Sequence, residues 1–249
     1  MDFRSGLRVL RRRVRKTVHK LIHGRPRNLA GEYLHAAGPI DLVVHVGAHV
    51  GQEIDNYRTL GVRRVVWIEG DPETYQRLCD RIYADEQAKP RMLHYPVCAL
   101  VSDADDNLIA FHRFNNKGAS SSVYRPTPRL RSEWPGLDTT GEAIALRTRR
   151  LESILDELGL EWPSAGQGVL VVDVQGHEVA VLAGIGRYAR MFDLCECEVS
   201  KEAIYDGGAL YPEIKARLEA LGFRLASHSE ADIPWHGNVI FSRNVVTLG

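Results

Sequence analysis

Short apolar runs alternate along the chain with longer amphipathic stretches, and glycine and proline mark the breaks between them. Asp41–Gly47 (DLVVHVG) and Arg63–Glu69 (RRVVWIE) are β-branched runs that predict buried strands. Between them, Gly51–Leu60 predicts a helix that stops at Gly61, and Pro72 opens a second helix that runs to about Ala84. Arg91–Leu100 predicts a third strand and Leu108–Phe114 a fourth, at an edge. Further on come a helix over Leu151–Leu160 and the most apolar strand of the chain, Gly168–Val174 (GVLVVDV). A helix over Glu178–Ala183, a strand over Phe192–Val199 and a helix over Tyr211–Leu221, closed by Gly222, follow. Phe223–Ser227 and Asn238–Ser242 predict two closing strands. Strands that alternate with helices imply an α/β fold, a mostly parallel sheet covered on both faces.

With 249 residues, 44% apolar and 26% charged, the chain is long enough for one such domain with a full core. That composition excludes a disordered chain, a collagen-like repeat and a disulfide scaffold. No run approaches ~18 apolar residues, so no transmembrane span is expected, and the N-terminus lacks the apolar region of a signal peptide. The four cysteines have no zinc spacing, which points to the reducing cytosol. Asn115–Glu142, rich in Gly, Ser, Pro and Thr, has no sustained period and reads as an insertion or lid on the acceptor side of a site.

The zero net charge conceals two halves. Residues 1–27 hold ten Lys and Arg against one acid, a net +9, so the other 222 residues carry −9. An acidic body is a poor binder of nucleic acid. Residues 1–28 therefore form a basic arm ahead of a domain over 29–249. Phe3, Leu7, Leu10, Val14, Val18 and Leu21 make one stripe of a basic helix. It suits packing on the domain or on a second subunit as a homodimer, or else an anionic membrane at the inner, cytoplasmic face.

In open parallel sheets the ligand lies beyond the carboxyl ends of the strands. The turn after the first strand carries Gly47 and Gly51 in a G-x-x-x-G spacing, one glycine short of a dinucleotide loop and without a phosphate-loop lysine. Glu69 ends the second strand about 20 residues further on, where an acid can accept ribose hydroxyls. Together they suggest an adenosine-type cofactor without choosing between a nicotinamide dinucleotide and S-adenosylmethionine.

The run Val172–Gly184 (VDVQGHEVAVLAG) resembles the D-V-[EQ]-G-x-E-x-x-V-L-x-G block of FkbM-type S-adenosylmethionine-dependent methyltransferases. His45–Gln52 is similar to that family's D-V-G-A-N-x-G-Q loop, Ile68–Pro72 to its I-E-P-x-P element, and Ala99–Asp103 to its A-L-S-D step. Asn115–Val123, Arg147–Leu155 and Cys197–Ser200, with Ile214 and Gly222-Phe223, complete the likeness over Asp41 to Arg243. His45 stands where the family usually has Asp, His49 where it has Asn, and Gln175 where it often has Glu.

The resemblance implies a Rossmann-like class I methyltransferase fold with a mostly parallel seven-stranded sheet and helices on both faces, to which the charge and stripe of residues 1–28 add an N-terminal basic helix. It also implies transfer of a methyl group to a hydroxyl of a sugar, glycan or natural product, leaving S-adenosylhomocysteine. The cofactor residues it points to are His45, Gly47, Ala48, His49, Gly51, Glu69, Gly70, Asp71, Ser102, Asp103, Asp173 and Gln175. Asp173, His177 and Glu198 are the candidates for catalysis, with Asp173 first and His177 second as the base. His49, Asp173, His177 and Glu198 include donors that suit a divalent ion, but they come from different elements, and no metal site is assigned. The competing readings are a nicotinamide-dependent oxidoreductase and a non-catalytic domain that binds cofactor or glycan.

Overall fold

The computed structural model describes residues 39–88, 92–141, 143–162, 167–226 and 233–243. The basic arm lies outside them.

Its scaffold is a seven-stranded sheet. In chain order the strands are β1 (Ile40–Val46), β2 (Arg64–Glu69), β3 (Leu93–Cys98), β7 (Gln167–Val172), β8 (Leu194–Ser200), β9 (Arg224–Leu225) and β10 (His236–Ser242). They lie side by side as β3-β2-β1-β7-β8-β10-β9. The pairs from β3 to β8 are parallel, and β10 runs antiparallel to both of its neighbours. All seven residues of β1 are buried, as expected for a central strand with helices above and below.

One face packs Val44, Val46, Leu170 and Val172 against helices α4 (Leu151–Leu158), α5 (Glu178–Ala183) and α6 (Tyr211–Ala220). The other packs Val43, Val65, Trp67 and Val171 against α1 (Ile54–Thr59) and α2 (Pro72–Ala88). Because Val46 pairs with both Ile68 and Val172, β1, β2 and β7 end level with one another and present one polar rim.

The structure departs from the pattern-based expectation in the middle of the chain. The expected third strand is two: after β3 the chain steps at Ala99 into β4 (Leu100–Ser102), which leaves the main sheet and pairs with β6 (Ile144–Arg150). Strand β6, IALRTRR, has charged and half-exposed positions and so carries no buried-strand pattern. The expected edge strand is β5 (Leu108–Phe111), antiparallel to β6 in this second, three-stranded sheet. The region 115–141 contains a short helix, α3 (Pro128–Glu133), capped by the Thr127 side chain, and is pinned by isolated bridges such as His112 to Ser122 and Pro126 to Tyr205. Helix α1 starts later than Gly51, so the glycine turn extends through Glu53. At the end of the chain, β10 begins at His236, two residues before the expected Asn238.

Candidate active site

Two cavities open at the polar rim and meet at Asp173, Gln175, Gln52 and Ala119. The first, of about 790 Å³ including its mouth, lies over the ends of β1, β2 and β7. The second, of about 760 Å³ on the same measure, is roofed by Asn116, Leu130, Trp134 and Leu137 and floored by Glu198, Tyr205 and His236. The 115–141 region thus walls both.

The first cavity begins with the glycine turn. Gly47 sits at φ +85°, and a Cβ there would lie 1.8 Å from the Asp173 carbonyl oxygen, so the turn can close on β7 only with glycine. His49, also left-handed at φ +46°, gives its backbone N–H to Glu69 Oε2 at 2.8 Å. Glu69 Oε1 accepts the Asp71 N–H at 2.8 Å. The Glu69 carboxyl therefore braces the turn and still faces the cavity, and its burial pushes its pKa up to about 7 against the pull of those amides. His45 is neutral: burial lowers it to about 4, and its Nδ1 is 2.9 Å from the Tyr57 hydroxyl. The His49 ring is bridged by Gln52 at 2.9 Å and by the Lys117 carbonyl at 3.0 Å, a carbonyl that Arg77 also reaches at 2.9 Å. The glycine turn is in this way fastened to the roof.

Asp71, Ser102 and Asp103 line neither cavity. Asp71 caps α2 and holds Arg113, which donates to it at 2.6 Å, so it anchors the start of the roof. Ser102 is buried, with its hydroxyl 3.0 Å from His177 Nε2 and 3.1 Å from Asp103. His177 lines the first cavity, its Nδ1 facing the Tyr124 hydroxyl at 3.4 Å, and burial lowers its pKa. The structure brings Asp173 and Glu198 together but leaves His177 with Ser102 and Tyr124, away from that pair.

Asp173 and Glu198 are joined by one amide. Gln175, at φ +57°, donates through Nε2 to Asp173 Oδ1 at 2.6 Å and to Glu198 Oε2 at 2.7 Å, while its Oε1 accepts the Tyr205 hydroxyl at 2.6 Å. A left-handed non-glycine residue is strained, and the three bonds hold it there. Burial raises both carboxyls. The charges of Asp173 and Glu178 raise Glu198 further, whereas hydrogen bonding to Gln175 and Glu198 pulls Asp173 down. Glu178 has a structural part: it accepts the Gly176 N–H at 2.9 Å and, at 3.3 Å, the Val174 N–H, and burial takes it up to about 7.

Charge at the rim has one sign. Glu53, Glu69 and Asp173 line the first cavity, and no Lys or Arg side chain does so among the described residues. Burial, and then the charge of Asp173, raise Glu53. No group of three or more His, Cys, Asp and Glu is placed to hold a metal ion among the described residues. The structure adds Glu53, Gln52, Tyr205, His236 and Trp134 to the residues expected at the site. Gln52 and Glu53 continue the glycine turn and could have been expected there, whereas the other three reach the site only through the fold.

Sequence comparison bears on the same region. The profile of the methyltransferase FkbM domain matches residues 45–225, from the end of β1 through β9 and short of β10. The chain belongs to the FkbM methyltransferase family. Comparison with curated proteins returned no relative. Among solved structures, an FkbM methyltransferase from Methylobacillus flagellatus KT is 14% identical over 82% of this chain, with a TM-score of 0.46; this chain spans 44% of that one. Magnesium protoporphyrin IX methyltransferase from Synechocystis PCC 6803, solved with SAM bound, is 12% identical over 85% of this chain and 74% of that one, at a TM-score of 0.44. A TehB-like SAM-dependent methyltransferase from Corynebacterium glutamicum ATCC 13032 is 10% identical over 94% of this chain and 97% of that one, at 0.40. Membership accounts for the seven-stranded sheet as a Rossmann-like class I methyltransferase sheet. It also explains Gly184, the last position of the FkbM block: a Cβ there would lie 2.1 Å from the Ser102 carbonyl oxygen, where α5 ends against β4. Among the described residues no helix is long and apolar enough to cross a membrane.

Proposed function

We propose that this FkbM protein transfers the methyl group of S-adenosylmethionine to a hydroxyl of a neutral sugar, glycan or natural product. The observation that carries the reading is the sign of charge at the rim. Three carboxyl groups, of Glu53, Glu69 and Asp173, face the first cavity, and among the described residues no Lys or Arg lines it. Such a wall suits a ligand carrying an ammonium and a sulfonium, and repels the pyrophosphate of a nicotinamide dinucleotide.

In this reading Glu69 accepts the ribose hydroxyls, Gly47 and the glycine turn admit the amino-acid end, and Leu100, Val101 and Phe111 offer apolar walls to the base. When bound, S-adenosylmethionine supplies an electrophilic methyl group on a cationic sulfur. The protein's residues do the rest. Asp173 lies at the junction of the cavities in a desolvated place, where a carboxylate acts strongly on nearby cations. Glu198 and Gln175 fix that carboxylate by hydrogen bonds.

The second cavity joins Trp134, Leu130 and Leu137 with Asn116, Ser120 and Tyr205 and, among the described residues, has no Lys or Arg in its lining, a mixture that suits an uncharged polyhydroxyl ring better than a phosphorylated or acidic one. Incubation with methyl-tritiated S-adenosylmethionine and a panel of neutral and acidic glycans tests the proposal. Label is expected on a neutral member, as an alkali-stable methyl ether. Label only on acidic members, or as an alkali-labile ester, refutes it.

A further inference from the structure

His236 starts β10, the strand that runs against its neighbours. Because of that reversal, its amino-terminal end lies where the parallel strands have their carboxyl ends, and His236 pairs across with Ser200 at the end of β8. Its ring lines the second cavity, and Nε2 is 3.4 Å from Glu198 Oε1. Trp134 meets the ring edge-on at 5.5 Å between centroids and Trp235 lies at 5.6 Å, so its orientation is fixed from two sides.

On the reading of the protein as a methyltransferase of hydroxyl groups, we propose that His236 is the general base, taking the acceptor's proton on Nε2. The acceptor oxygen uses a lone pair to bond the methyl carbon. The carbon–sulfur bond breaks with its electrons going to sulfur, and the O–H proton passes to the imidazole. The products are a methyl ether, S-adenosylhomocysteine and an imidazolium, which loses its proton to solvent through the open cavity. One positive charge thus leaves sulfur and one arises on His236.

The groups around the ring suit this. Asp173 and Glu198 face it from β7 and β8. On α3, Arg129 lies over Trp235 at 4.8 Å and is spent on Glu133 and Glu202. Lys201, after β8, gives its ammonium to the Ile233 carbonyl at 2.7 Å. Burial lowers the pKa of His236, with Asp173 and the Val199 backbone opposing, so the ring is neutral and able to accept a proton near pH 7. His177, with Ser102 and Tyr124 on its two nitrogens, does not line this cavity.

An NMR titration of the full chain with nitrogen-labelled histidine tests the proposal without an acceptor. The signal is assigned with H236Q, or with H236N should H236Q melt early. Titrations are run with S-adenosylhomocysteine, which is neutral at sulfur, and with sinefungin, which carries an ammonium at the place of the transferred methyl. If His236 faces that place, sinefungin weakens its proton affinity about threefold or more relative to S-adenosylhomocysteine, by like-charge repulsion, and leaves His177 less affected. Equal His236 titrations in the two complexes overturn the base assignment. Calorimetry that shows neither ligand binding to the folded chain overturns the methyltransferase reading, and the inference falls with it.

Discussion

Replacing Glu69 by Ala separates its two duties, because one is internal to the protein and the other is toward a ligand. Its two oxygens take the backbone N–H groups of His49 and Asp71, each at 2.8 Å, in a site where the side chain is almost fully buried. Alanine leaves both amides unpartnered at about 1–3 kcal/mol each. The sum, about 2–6 kcal/mol, is a large part of the 5–15 kcal/mol typical of a domain. At roughly 2–4 °C per kcal/mol for a chain of this size, the melting temperature falls on the order of 10 °C. E69Q keeps one acceptor oxygen for the amides and loses the charge offered to ribose. It should therefore melt closer to the parent yet bind S-adenosylhomocysteine about 10- to 100-fold more weakly, the loss of one or two charge-assisted hydrogen bonds. Circular-dichroism melts and calorimetry on both variants decide. An E69A protein that melts with the parent refutes the bracing role, and an E69Q protein with parental affinity refutes the ribose role.

Gly47→Ala places a methyl group 1.8 Å from the Asp173 carbonyl oxygen at φ +85°, so it should lower the melting temperature by several degrees and abolish S-adenosylhomocysteine binding; retained affinity would show that the turn does not bear on the ligand. With Glu69 raised to about 7 from 4.5, the folded chain holds a proton that the unfolded chain has lost, so this residue makes stability fall as pH rises between those values, and E69Q should flatten that part of the curve in urea titrations. For the same reason ribose hydroxyls that favour the ionised form should drive a proton off Glu69, seen as a buffer-dependent binding enthalpy near pH 6.5 that is absent in E69Q. Asp173→Asn removes the charge at the junction and should cut methyl transfer by about 10²–10³-fold while S-adenosylhomocysteine affinity stays within a few-fold, whereas His177→Ala should weaken the cofactor more than it slows turnover; the opposite pattern in tritium transfer and calorimetry would return the catalytic role to His177.

The readable parts of this molecule are those where one physical demand dominates. Strands β1, β2 and β7 are buried on both sides and therefore rich in Val, Ile and Leu, which any reading of pattern finds. Their ends then locate Gly47, Glu69 and Asp173 by rule. Strand β6 answers to several demands at once, with Thr148 buried and Arg147, Arg149 and Arg150 reaching Asp106, Glu157 and Asp105, so its sequence looks like a surface. The break at Ala99 leaves no local mark because it depends on which partner strand is nearer. His236 could have been suspected once β10 was taken as reversed, since the start of a reversed strand lies at the functional edge. Nothing in the local sequence, however, fixes its direction. Asp71, Ser102 and Asp103 show the converse: they occupy motif positions near the rim, yet their side chains spend their bonds on Arg113, Thr74 and His177.

The attachment at the Lys117 carbonyl sets how often the tip of the roof lifts from the glycine turn. Two hydrogen bonds, from His49 and Arg77, hold that tip, while Ser122 to Gln175 and Tyr205 to Ser120 hold the roof further along. At about 0.5–1.5 kcal/mol net apiece the two at the tip hold roughly 1–3 kcal/mol between them. An equilibrium of that size leaves the tip parted on the order of 1–20% of the time without unfolding of the sheet beneath. Backbone amides near Lys117 would then trade hydrogen for deuterium orders of magnitude faster than those of β1, and strengthening the attachment would lengthen the residence of the spent cofactor in proportion.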